Sequence, residues 1–129
     1  MAKSQATTRH RYGNVYFWKK CPRLDTGQAK GRPVVLIDSP EAIEAGEVLV
    51  VPVTSSSLEC GEVDKDRVEL PNAITTQNCT SGLSRVSWAL PRLFRFAPLS
   101  ELSYCGYLSG KTLSRVRENT ERRMKDAIE

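Results

Sequence analysis

The sequence has no apolar run near the roughly 20 residues a membrane-spanning helix needs, so a helical membrane protein is excluded. Histidine is nearly absent: His10 is the single one, and it stands close to the N-terminus, away from every apolar segment. Acid–base chemistry therefore lacks its usual carrier. Cys21, Cys60, Cys79 and Cys105 form no CxxC pair and have no histidine beside them, so neither a zinc site nor any other metal site is expected. The first residues, Met1 to Arg11, carry no apolar stretch of the signal-peptide kind. They read as a flexible basic arm on a cytoplasmic protein, and in that compartment the cysteines read as free thiols rather than two disulfides. Charge of one sign does not dominate. Nineteen Lys and Arg against fifteen Asp and Glu leave +4, which tolerates a polyanionic partner without demanding one.

What is present fits one domain. A chain of 129 residues with 40% hydrophobic and 26% charged residues has an ordinary globular balance and room for a single core, so residues 12–129 read as one domain behind the arm. Val15-Tyr16-Phe17-Trp18 is β-branched and aromatic and predicts a strand, followed by a loop through Pro22, Asp25, Gly27 and Gly31. Pro33 to Ile37 and Val48 to Val53 are short continuous apolar runs, the pattern of strands buried on both faces, with Pro33 confined to the first strand position. Between them Glu41 to Gly46 predicts one helical turn. Arg67 to Leu70 alternates polar and apolar as an edge strand does, Pro71 to Gly82 reads as an exposed loop, and Leu83 to Trp88 and Leu93 to Phe96 are two further strand candidates broken at Pro91. From about Lys111 to Asp126 the period becomes helical, with Leu113, Val116, Thr120, Met124, Ala127 and Ile128 on one face and Ser109 as a candidate cap. The fold class is mainly β with a C-terminal helix (α+β), a small, partly open barrel.

Four segments, in order, resemble the MazF/PemK family of toxin endoribonucleases. Arg11-Tyr12-Gly13-Asn14-Val15-Tyr16-Phe17 is similar to the family's first strand. Gly27-Gln28-Ala29-Lys30-Gly31 leading into Arg32-Pro33-Val34-Val35-Leu36-Ile37 resembles its most recognisable motif. Val50-Val51-Pro52-Val53-Thr54-Ser55-Ser56 resembles the next strand, ending in a Thr, and Gly82-Leu83-Ser84-Arg85-Val86-Ser87 with Gly106-Tyr107-Leu108-Ser109 resembles the later strand and the turn before the last helix. The resemblance implies an SH3-like partly open barrel of the CcdB/PemK/MazF type and a homodimer. It also implies an antitoxin partner whose disordered tail covers the RNA groove, a toxin–antitoxin complex that binds DNA, and cofactor-free, metal-independent cleavage of single-stranded RNA at short sequences, which stops translation.

That chemistry is attack of a ribose 2′-hydroxyl on the adjacent phosphate, leaving a 2′,3′-cyclic phosphate and a 5′-hydroxyl. It needs a base, an acid and a group to hold charge on the phosphorane. Arg32 matches the family's catalytic Arg, and its guanidinium is a planar, permanently charged fork for phosphate oxygens. The plainer reading is a solvated Arg at a strand start. Thr54 matches the second catalytic position; its hydroxyl can donate to a phosphate but cannot serve as base unaided, and its plainer reading is a local backbone bond. Ser55 and Ser56 extend a polar shelf for RNA. Arg85 and Ser87 stand where some members place an Arg and an Asp, so the carboxylate is missing here, and Pro91-Arg92-Leu93 replaces a segment that is acidic in many relatives.

Lys19, Lys20, Arg23 and Lys30 cluster in the loop ahead of Arg32, interleaved with Phe17 and Trp18, and suit single-stranded RNA by tracking phosphates while a ring stacks on a base. Adjacent strand residues face opposite sides, so one of the two rings is expected buried and the other partly exposed. Two other readings use the same fold. A noncatalytic RNA- or protein-binding module is favoured by Ser87 and by the Pro91 segment. A topoisomerase-directed toxin of the CcdB kind is disfavoured by the intact Arg32-Pro33 and Thr54 motifs.

Overall fold

A computed structural model describes residues 13–22, 31–55, 66–77, 79–108 and 110–128. The basic arm with His10, and Arg23, Lys30, Ser56, Cys60 and Ser109, lie outside the described residues. Strand β1 is Asn14–Trp18, β2 is Arg32–Leu36, and β3 is Glu47–Thr54. They pair antiparallel in the order β1, β2, β3. Both sides of β2 and β3 are covered, which is why the sequence shows unbroken apolar runs there. Val15, Val35, Val51 and Val53 face one core. Tyr16, Trp18, Val34, Leu36, Val48 and Val50 face a second core on the other side.

Helix α1, Pro40–Ala45, closes the second core with Ile43. Its N-terminus is capped by Ser39, whose hydroxyl accepts from Ala42 N at 3.3 Å, and it ends at Gly46 in the left-handed region, φ 89. Strand β4, Val68–Leu70, is the edge strand the alternation predicts, paired with β5, Ser87–Ala89. The strand expected over Leu83 to Trp88 is thus shorter and later. The Leu83 N–H donates to Ser81 Oγ and its carbonyl accepts from Ala73 N, so its backbone is already engaged in the loop. Pro91–Leu93 is a short 3-10 helix, and β6 follows at Arg95–Pro98, against the lower half of β3.

Pro33 is second in β2 rather than first, in register with Phe17, because pairing begins one residue earlier with Arg32 opposite Trp18. Strand β7, Leu102–Tyr107, was not visible in the apolar period and completes the sheet beside β1. The result is a curled antiparallel half-barrel. A second 3-10 turn, Leu99–Glu101, carries the chain from β6 to β7, and there Glu101 Oε1 accepts from Trp18 Nε1 at 2.9 Å. Helix α2, Gly110–Ile128, lays Val116 and Thr120, both fully buried, against the first core, with Leu113 and Met124 partly buried beside them. No described helix is long and apolar enough to cross a membrane.

Candidate active site

Arg32 and Thr54 are distant in sequence and are brought together by strand register. Val34 pairs with Pro52 and Val35 with Val51, so the same register extended by two residues sets Arg32 across from Thr54. Both are almost wholly buried, at 4% and 3% exposure, unusual for an Arg at a strand start and the first sign that it is not merely solvated. They border one cleft of about 480 Å³, whose walls also carry Ser55, Arg85 and Ser87. Ser55 and Arg85 are exposed there. Ser87 is buried, and its hydroxyl donates to Arg85 O at 2.8 Å, which leaves its lone pairs for a ligand donor.

Lys19 and Lys20 are exposed in the turn that leaves β1 and do not line this cleft. Pro91-Arg92-Leu93 forms its 3-10 turn elsewhere. Of the two rings, Trp18 is buried at 5% and Phe17 is open at 39%, facing the cleft.

Cys105 is a cleft residue that sequence reasoning missed. In β7, Tyr104 is opposite Tyr16 and Gly106 is opposite Val15, so Cys105 is the extra residue of a bulge. A bulge re-aims the side chain it carries. Here it sets Cys105 at the cleft wall with its backbone against Gly82, while the thiol donates to Ser103 O at 3.7 Å. No local signal marks a bulge of this kind. Burial pushes the Cys105 thiol up from its ordinary range, partly offset by a hydrogen bond from the Phe17 backbone, so it is a poor proton acceptor at neutral pH. Cys21 is fully buried in the second core. Its thiol too is pushed up by burial, offset first by the Arg95 guanidinium and then by that of Arg32. Arg95 Nη1 donates to Pro22 O at 3.3 Å and its Nε to Leu93 O at 3.1 Å, tying the chain just past β1 to β6.

The described cleft walls thus hold two guanidiniums and several hydroxyls with no carboxylate and no imidazole. Such a surface binds and neutralises an anion. It holds no group suited to take a proton at neutral pH.

Compared by sequence, the chain matches no protein-family profile and no curated protein. Compared by structure, it is similar to MazF (Form-I) from Deinococcus radiodurans with a TM-score of 0.64 at 16% identity, over 88% of this chain and 94% of that one. The chain has the MazF fold. The Mycobacterium tuberculosis toxin MazF-mt6 superposes with a TM-score of 0.61 at 16% identity, over 87% of this chain and 96% of that one. An endoribonuclease solved in complex with its cognate antitoxin, from a mycobacterial species, has a TM-score of 0.61 at 14% identity, over 88% and 93% of the two chains. At such identities the likeness is one of fold, and the cleft of this MazF-fold chain has to be read from its own residues.

Proposed function

We infer that the protein is the toxin of a toxin–antitoxin pair and an endoribonuclease acting on single-stranded RNA, with residues 12–129 as its one functional domain. The observation that carries this reading is that Arg32 and Thr54, both buried and carried on neighbouring strands, line the wall of one open cleft. MazF-fold neighbours that are toxins and endoribonucleases, one of them with an antitoxin bound, support it.

In this reading the Arg32 guanidinium grips the scissile phosphate with two donors and holds the charge that grows on the phosphorane. The Thr54 hydroxyl donates to a phosphate oxygen, and Arg85 at the rim steadies a neighbouring phosphate. Ser55 and Ser87 orient the backbone. No metal enters the step: the 2′-hydroxyl attacks phosphorus, the bond to the 5′-oxygen breaks, the leaving 5′-oxygen takes a proton from water, and a 2′,3′-cyclic phosphate and a 5′-hydroxyl result. The 2′ proton passes to water or to a non-bridging phosphate oxygen, since no described wall residue takes it at neutral pH. Lys19 and Lys20 guide flanking RNA outside the cleft, and Arg23, Lys30 and Ser56 are further RNA-binding residues. The partners are RNA, a cognate antitoxin and a second copy of the chain.

The test is incubation with long single-stranded RNA in excess EDTA beside Arg32→Ala, with fragment ends mapped. Cleavage at repeated short sites with 5′-hydroxyl ends, lost in the variant, supports the reading. Intact RNA from folded protein overturns it. Sedimentation is expected to give twice the 14.4 kDa of one chain, and a monomer at micromolar concentration counts against the dimer.

A second reading is favoured by the lack of a proton acceptor among the described wall residues: a noncatalytic module that holds RNA in the same cleft. It predicts RNA binding that depends on Arg32 without any cleavage.

A further inference from the structure

Phe17 occupies an unusual place. It is the one exposed residue of β1, flanked by buried neighbours on both sides, and it faces the cleft. An apolar ring inside a strand is ordinarily covered, and here 39% of its surface is left in water. Behind the ring stands Gly31. A methyl group added there would lie 2.5 Å from Phe17 Cζ and 2.9 Å from Cε2, so the ring edge rests on bare backbone and cannot swing toward it. Gly31 has no left-handed φ to require glycine, so the space it leaves for the ring is the physical reason for its lack of a side chain.

The surroundings specify what the open ring would meet. Phe17 and Arg32 line the same cleft from paired strands, Phe17 at the register position next to the Trp18–Arg32 pair. Platform and phosphate clamp therefore border one cleft. Arg85 and the Ser84 hydroxyl complete the exposed rim. A fixed aromatic face beside cations and hydroxyls matches the chemistry of an unpaired base with its phosphate and 2′-hydroxyl.

We propose that Phe17 is the platform on which the base adjoining the scissile phosphate stacks, held in place by the bare backbone of Gly31. The assignment rests on the RNA reading of the cleft and adds to it a residue that reads the substrate without taking part in the chemistry. Stacking tolerates every base but favours purines by area, so Phe17 sets a preference at one position of the recognition sequence.

The experiment separates binding from cleavage. The probe is a random-sequence pool of single-stranded 2′-O-methyl RNA, which lacks the attacking hydroxyl, compared with an abasic strand of the same backbone. Phe17→Leu keeps apolar bulk against Gly31 but has no π-face. It is expected to weaken binding of the base-bearing pool about 5- to 150-fold, the range for a lost base–aromatic stack, and to leave abasic binding unchanged. Phe17→Trp should bind within a few-fold of the parent protein, and Gly31→Ala should weaken base-bearing RNA by displacing the ring. Equal weakening on both probes, or none on either, overturns the proposal, as does a Phe17→Leu defect confined to an acidic peptide probe. Base-dependent binding by a protein that cleaves no RNA would refute the ribonuclease and leave the Phe17 assignment intact.

Discussion

Of the three described glycines with positive φ, Gly46 and Gly82 make a controlled pair for testing how the cleft wall is built. Gly46 ends α1 with φ 89, and a Cβ there would meet nothing within 4 Å. Gly82 has φ 77, but its Cβ would overlap the Cys105 carbonyl oxygen and lie 2.8 Å from the carbonyl carbon. Gly46→Ala therefore carries only left-handed strain, about 1–2 kcal/mol. Gly82→Ala carries the same strain plus a collision with strand backbone, and overpacking adds about 1–3 kcal/mol. The stiffening of the unfolded chain by Ala is common to both and cancels in the difference. The steric cost thus appears as a gap of about 2 kcal/mol between the two variants. With a urea m-value of about 1–3 kcal/mol/M, that gap is a midpoint difference of about 1 M in urea unfolding. Equal midpoints would refute the close packing of the Gly82 segment on β7, and with it the placement of Cys105 in the cleft.

Replacing Arg32 by Lys keeps the charge but loses the bidentate fork; RNA cleavage is expected to fall about 100-fold with unchanged circular dichroism, measured by single-turnover kinetics. Trp18→Phe removes the donor to Glu101 that links β1 to the turn before β7, and should cost about 1.5 kcal/mol in urea unfolding. Both Cys21 and Cys105 thiols are pushed up in the folded state, so the unfolded chain releases their protons first as pH rises. Stability should be constant below the ordinary thiol value of about 8.5 and fall as the pH climbs toward the raised ones, with Cys21→Ala flattening the slope in unfolding curves from neutral to alkaline pH.

Much of the scaffold was legible because its signals are local. The runs at Pro33 to Ile37 and Val48 to Val53 announced strands covered on both sides, and the two cores show what covers them. Glu41 to Gly46 and the C-terminal helix were visible for the same reason: caps and periods are written within a few residues. Strand β7 escaped because its exposure pattern follows no period of two, being interrupted by the Cys105 bulge and by Gly106. Leu83 looked like a strand residue but spends its backbone bonds on Ser81 and Ala73.

For the cleft, Arg32, Thr54, Arg85 and Ser87 could be named from the sequence through the resemblance, whereas Lys19 and Lys20 could not be sorted from them by residue type. All are polar residues near strand ends. Only the direction in which each strand leaves the sheet separates cleft wall from outer turn.

Composition and period alone were enough for strands β1 to β4 and the two helices, for the burial of β2 and β3 on both faces, and for the lack of a carboxylate at Ser87. Only the folded chain brings Arg32, Thr54 and Cys105 to one cleft and leaves Phe17 open beside bare backbone at Gly31. Composition and period act over a few residues. Register and bulges are set by pairing between segments far apart in the chain, where a slip of one residue would turn every side chain to the other face.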